Sequence, residues 1–101
     1  MELNPELAAR FSLEGRVAVI TGAASGFGAE ASRLFARAGA RVVLADINAA
    51  GAEATAAQVR EAAGEAVVVP TDTANRDQVE ALADAAVRAF GGLDIWLNIA
   101  G

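Results

Sequence analysis

The 101 residues contain no lysine, no histidine, no cysteine and no tyrosine. Each absence removes a class of chemistry. Without imidazole or a phenol, two common proton carriers are missing, and without a thiol or an amine there is neither a sulfur nucleophile nor a Schiff base. Disulfides and Cys/His metal centres are excluded as well. Cationic charge is scarce too: eight arginines face thirteen acidic residues, for a formal charge of −5. That balance opposes the phosphate-neutralising contacts on which nucleic-acid binding depends. The apolar runs 17–20, 42–45 and 66–69 are strand-sized and far too short to cross a bilayer. The amino terminus opens with acidic residues and has no basic-then-apolar leader pattern. The expectation is a cytoplasmic protein with no membrane or nucleic-acid partner and no metal.

What is present is mostly alanine: 27 residues, about half of the apolar set. Packing therefore falls to the Val, Ile and Leu residues, four Phe and one Trp, enough for one small domain with little margin. Residues 1–14 read as a peripheral lead-in with one helical turn after Pro5. From residue 15 onward, β-branched runs alternate with helical periodicity. Residues 16–21, 41–46, 66–70 and 94–98 read as strands. The first helix carries Phe27, Ala31, Leu34, Phe35 and Ala38 as its apolar stripe and stops at Gly39. A second, Ala-rich helix over 48–63 has a weak stripe at Ala52, Ala56, Val59 and Ala63 and stops at Gly64. The third opens on a capping pair, Asn75 and Gln78. Its apolar face is Val79, Leu82, Ala83, Ala86, Val87 and Phe90, and Gly91 and Gly92 close it. This β-α-β-α-β-α-β order implies a Rossmann-like, doubly wound parallel sheet. The expected strand order is 3-2-1-4, with two helices on one face and the third on the other. Residues 15–101 form one dinucleotide-binding unit that stops after its fourth strand.

The segment between the first strand and first helix, 21–28, holds glycines at 22, 26 and 28. A dinucleotide pyrophosphate needs backbone amides at a helix N-terminus, where the dipole favours anions, and side chains there would bar its approach. Gly22 permits the tight turn, Gly26 permits the phosphate to come close, and Gly28 permits close packing of the helix. Ser25 and Phe27 complete the candidate phosphate loop. A glycine-rich turn that is merely flexible is the plain alternative. A P-loop is excluded for want of lysine. Asp46 ends the second strand, where a carboxylate accepts from both adenosine ribose hydroxyls and repels a 2′-phosphate. The alternative is a turn-forming role, which Asn48 could also fill.

The Thr-Gly-x-x-x-Gly-x-Gly spacing at 21–28, with the lead-in at 13–21, resembles the short-chain dehydrogenase/reductase family. The resemblance implies an oxidoreductase that moves a hydride between a nicotinamide cofactor and an alcohol or carbonyl substrate. It implies NAD rather than NADP, because Ser25 and Ile47 stand where NADP-preferring members carry basic residues. It also implies that Asp72 and Thr73 meet the adenine, although an Asp there serves a turn equally well. Asn98, Ala100 and Gly101 match the family's Asn-Asn-Ala-Gly signature, where the strand-four backbone passes the cofactor ribose. Ile99 departs from it, replacing the asparagine that ties the central strands together. Thr21 is expected to support the strand-four turn through its hydroxyl, and Trp96 to pack between sheet and helix.

The family's catalytic Ser and its Tyr-x-x-x-Lys pair follow that signature. None of the catalytic residues is expected within these 101 positions, so the chain alone is expected to be inactive. Two other classes fit parts of the pattern: a methyltransferase using S-adenosylmethionine, and a non-catalytic nucleotide-binding or assembly module. An unprotected strand at 94–98 further suggests a homo-oligomer, with strand four pairing with its own copy.

Overall fold

The computed structural model describes residues 12–99. The expected helical turn after Pro5 and the candidate residues Ala100 and Gly101 lie outside the described residues. Seven elements alternate along the chain: β1 (Val17–Thr21), α1 (Gly26–Arg37), β2 (Arg41–Asp46), α2 (Ala49–Glu61), β3 (Ala66–Pro70), α3 (Arg76–Phe90) and β4 (Ile95–Asn98). The four strands form one parallel sheet in the order β3-β2-β1-β4. The order 3-2-1-4 and the Rossmann-like class expected from the alternation are those of the structure.

The two central strands are apolar on successive residues because both faces of the sheet are covered. Alternate side chains divide the core. Ala18, Ile20, Val42 and Leu44 point to one face, where Phe35 and Ala36 of α1 and Ala56 and Val59 of α2 meet them. Val17, Val19, Val43 and Ala45 point to the other, against Leu82 and Ala86 of α3. Trp96 packs into this second cluster, while its neighbours Ile95 and Leu97 turn to the first. Ile20, Leu44 and Leu82 are fully buried, each burial contributing about 1.5–3 kcal/mol.

Capping side chains set where the helices begin. Ser25, Asn48 and Asn75 each accept a backbone amide from the first turn of α1, α2 and α3, respectively. The Asn75–Gln78 pair forms only one half of a full capping box. Asn75 Oδ1 does accept the Gln78 amide at 3.2 Å, but the Gln78 side chain instead accepts the Asp72 amide at 2.7 Å.

Apolar assignments on all three helices differ from expectation. Phe27 and Leu34 are 78% and 56% exposed, and α1 buries Gly28 and Ser32 in their place. Small residues let this helix lie close to the sheet, and Ser32 meets its polar requirement by donating to the Gly28 carbonyl at 2.6 Å. On α3, Val87 is 52% exposed, so the buried stripe narrows to Leu82 and Ala86. On α2, Ala63 lies beyond the helix, and it is Ala63, not Gly64, that takes the left-handed conformation (φ +66°). Gly64 is required for a different reason: a Cβ there would sit 2.8 Å from Val59 Cγ1.

Candidate cofactor site

The candidate residues collect along the carboxyl-terminal rim of the sheet, because parallel strands all end on the same side. Register fixes their neighbours. Thr21 pairs with Ala45 and with Asn98, and Asp46 pairs with Pro70. Along the rim run Asp72 after β3, Asp46 at the end of β2, the glycine turn after β1, and Asn98 at the end of β4.

The turn itself is over-determined. Gly22 has φ +67°, and a Cβ on it would collide with the Ile99 carbonyl oxygen. A Cβ on Gly28 would collide with the Gly22 carbonyl oxygen and lie 2.9 Å from Ala23 Cα. Gly28 thus lets α1 lie against the turn that precedes it. Gly26 is different: its φ is ordinary and nothing lies within 4 Å of where a Cβ would stand. The fold makes no steric demand for glycine there. The open space is what an approaching ligand would need.

Ser25 is committed within the turn. Its hydroxyl donates to the Gly22 carbonyl at 2.6 Å and accepts the Gly28 amide at 3.1 Å. The remaining amides divide sharply. Ala23 donates to the Ala45 carbonyl at 3.1 Å, Ala24 to Asp46 Oδ2 at 3.0 Å and Ser25 to the Gly22 carbonyl at 3.0 Å. The amides of Gly26 and Phe27 donate to no acceptor among the described residues. They are the unpaired donors that every helix N-terminus presents, here beside the space at Gly26. This arrangement fits an anionic group such as a pyrophosphate. The Phe27 side chain points into solvent.

Asp46 links two segments. Its Oδ2 accepts the Ala24 amide and its Oδ1 accepts the Asn48 amide at 2.8 Å. The turn-forming role weighed for Asp46 is therefore present, and Asn48 separately caps α2 through Gly51. A carboxylate has about four lone-pair sites, so two amides leave acceptor capacity for hydroxyls. Ile47, 75% exposed, flanks it on the solvent side. Asp72 likewise shapes a turn, with Oδ1 accepting the Ala74 amide at 2.9 Å. Thr73 lines an open pocket of about 440 Å³ together with Thr21, Val79, Trp96, Asn98 and Ile99. The Asn98 side chain is engaged by its neighbours: Oδ1 accepts the Thr21 hydroxyl at 2.8 Å and Trp96 Nε1 at 3.2 Å. Thr21 Oγ1 also accepts the Ile99 amide at 3.3 Å, the support expected of it. Ile99 itself packs into the cluster beneath α1 and α2, an apolar contact in the position of the family's asparagine.

Two residues that sequence reasoning passed over belong to this rim. Thr55 of α2 is buried and donates to the Ala23 carbonyl at 2.9 Å. Gly51, one turn earlier, lies where a Cβ would be 2.6 Å from that of Ala24. A polar residue in an otherwise Ala-rich stripe was the available signal.

Among the described residues no helix is long and apolar enough to cross a membrane, and no cluster of acidic side chains is placed to hold a metal ion.

Known proteins resemble this chain in sequence and in fold. The chain is 46% identical over 91 residues to D-threitol dehydrogenase of Mycolicibacterium smegmatis, covering 90% of this chain and 35% of that protein. It is 49% identical over 86 residues to cis-4-hydroxycyclohexanecarboxylate dehydrogenase of Sinomonas cyclohexanicum, covering 85% of this chain and 34% of the relative. The crystal structure of hydroxysteroid dehydrogenase from Escherichia coli superposes with a TM-score of 0.90 at 38% identity, over 93% of this chain and 40% of that one. The chain thus spans about a third of the length of the curated relatives it matches. A model of the short chain dehydrogenase family matches residues 16–101, and with the strand order, the glycine turn and these relatives it places the chain in that family.

Proposed function

We propose that this chain is the NAD-binding part of an oxidoreductase that transfers a hydride between the cofactor and a small alcohol or carbonyl compound. The observation that carries the reading is the pair of unpaired amides on Gly26 and Phe27, beside open space at Gly26, with the Asp46 carboxylate at the next strand end. In this reading Gly22, Ser25 and Gly28 shape the turn, and the Gly26 and Phe27 amides receive the pyrophosphate. Asp46 accepts from the adenosine ribose and Ile47 lines it. Asp72 and Thr73 meet the adenine side, while Asn98, Ala100 and Gly101 pass the second ribose. Bound nicotinamide supplies the hydride acceptor or donor.

The preference for NAD rests on charge. The Asp46 carboxylate would repel a 2′-phosphate, and neither Ser25 nor Ile47 offers a cation to offset it. The Tyr and Lys to which the family resemblance assigns proton transfer at the substrate oxygen are absent from these residues. We therefore assign turnover to a chain of the relatives' length and cofactor capture to the part described. A homo-oligomer belongs to the same reading, supported by exposed Val87 and Leu93 on and beyond α3.

Titration calorimetry with NAD, NADP and S-adenosylmethionine tests the proposal. NAD is expected to bind more tightly than NADP, and S-adenosylmethionine not to compete. Tighter binding of NADP would overturn the role given to Asp46, and capture of S-adenosylmethionine alone would favour a methyltransferase. Sedimentation velocity tests the assembly, for which a monomer at micromolar concentration is the refuting result.

A further inference from the structure

We infer that Thr55 is a positioning residue for the cofactor, acting through the glycine turn without touching the ligand. The inference rests on the dinucleotide reading above. Its basis is what holds residues 23–25. Glycines stand on both sides of this segment, and a glycine restrains its own backbone less than any other residue. Ser25 closes the segment on Gly22 from within, and three further bonds tie it to neighbouring elements. Two of the restraints come from β2: the Ala45 carbonyl accepts the Ala23 amide, and Asp46 accepts the Ala24 amide. The third comes from α2, whose Thr55 hydroxyl donates to the Ala23 carbonyl at 2.9 Å.

A threonine inside a helix commonly turns its hydroxyl back to the carbonyl four residues earlier. Here that contact, to the Gly51 carbonyl, is the longer one at 3.3 Å. The shorter contact is the one across to the turn. Gly51 makes the approach possible, since any side chain there would press on Ala24. Ala23 and Thr55 are both buried, so no water replaces the bond when it is lost. One segment, 46–55, therefore supplies the carboxylate and also sets the turn that carries the Gly26 and Phe27 amides. Loosening Thr55 should leave those amides chemically intact but poorly aimed.

The probe is ADP-ribose, titrated calorimetrically into the purified protein, with thermal unfolding measured in parallel. Thr55→Val keeps the shape and removes the donor, and is expected to weaken ADP-ribose binding about three- to tenfold. Thr55→Ser restores the hydroxyl and should bind as wild type does. Leu82→Val, on the opposite face of the sheet, should lower the melting temperature and leave the affinity unchanged. Gly51→Ala keeps the hydroxyl but pushes α2 off the turn, and should weaken binding even if Thr55→Val fails to fold. Wild-type affinity in Thr55→Val or in Gly51→Ala would overturn the inference, as would an equal loss in Leu82→Val. Wild-type protein that does not bind ADP-ribose at all would instead overturn the dinucleotide reading.

Discussion

Thr21 and Asn98 face each other in register across β1 and β4, and one hydroxyl joins them: Thr21 Oγ1 donates to Asn98 Oδ1 and accepts the Ile99 amide. Together with Trp96 Nε1, which also donates to Asn98 Oδ1, four polar groups meet at this end of the sheet. Thr21→Val preserves the β-branched shape and is expected to cost about 0.5–1.5 kcal/mol, because the Ile99 amide loses its acceptor while Asn98 Oδ1 keeps only the Trp96 contact. Thr21→Ser should recover most of the loss. Urea unfolding with both variants measures it, and an unchanged midpoint for the valine variant would contradict the account.

Glycines 26 and 28 should respond oppositely to alanine. Gly28→Ala drives a Cβ into the Gly22 carbonyl and is expected to destabilise the fold severely, by about 3 kcal/mol or more. Gly26→Ala meets open space at the first helical position, so stability should stay level or rise by up to about 1 kcal/mol. Its NAD affinity should nevertheless fall, because the methyl group occupies the approach to the free amides. Gly26→Ala protein that binds NAD normally would separate this space from the ligand.

Asp46→Asn tests structure and selection together. Both carboxylate oxygens accept amides, so the carboxamide nitrogen must face the Ala24 or the Asn48 N–H. A stability loss of about 1–3 kcal/mol is expected from that mismatch. The ratio of NADP to NAD affinity should rise, since the charge opposing a 2′-phosphate is gone. An unchanged ratio in paired titrations would refute the selective role.

Ala63 holds φ at +66°, a conformation that L side chains adopt at a penalty of roughly 1–2 kcal/mol. Ala63→Gly is therefore expected to stabilise the protein by about 0.5–1 kcal/mol, the strain relief being partly offset by the freer unfolded chain. A lower melting temperature in the glycine variant would show that the strain is absent.

The strands were the most legible part of the chain. β2 and β3 match the sequence reading residue for residue because each is an apolar run bounded by polar or glycine positions. β1 and β4 each start one residue later than read, at Val17 and Ile95. The preceding residues, Arg16 and Asp94, form an exposed ion pair at 3.7 Å, and Asp94 Oδ2 accepts the Val17 amide. Helix faces were harder. Periodicity weighs large apolar side chains, whereas α1 packs through Gly28 and Ser32, so Phe27 and Leu34 were assigned to a core that they do not enter. Size, not hydrophobicity, decided that face, and the four-residue spacing of Gly28, Ser32 and Ala36 was its trace in the sequence. At the site, Gly22, Gly26 and Gly28 were legible from spacing. Thr55 was not, because its partner is a backbone carbonyl 32 positions earlier.

The exposure of Phe27 and Ile47 has an evolutionary side. These side chains stand beside the glycine turn and beside Asp46, yet neither belongs to a buried cluster. Mutation can exchange them with little effect on folding, so under the proposed cofactor reading these two positions are free to vary while the scaffold stays under separate selection. The opposite holds for Gly22 and Gly28, where almost any substitution is filtered out by the backbone before a ligand is met. A lineage built on this rim would thus vary its exposed apolar neighbours and keep Gly22 and Gly28 frozen.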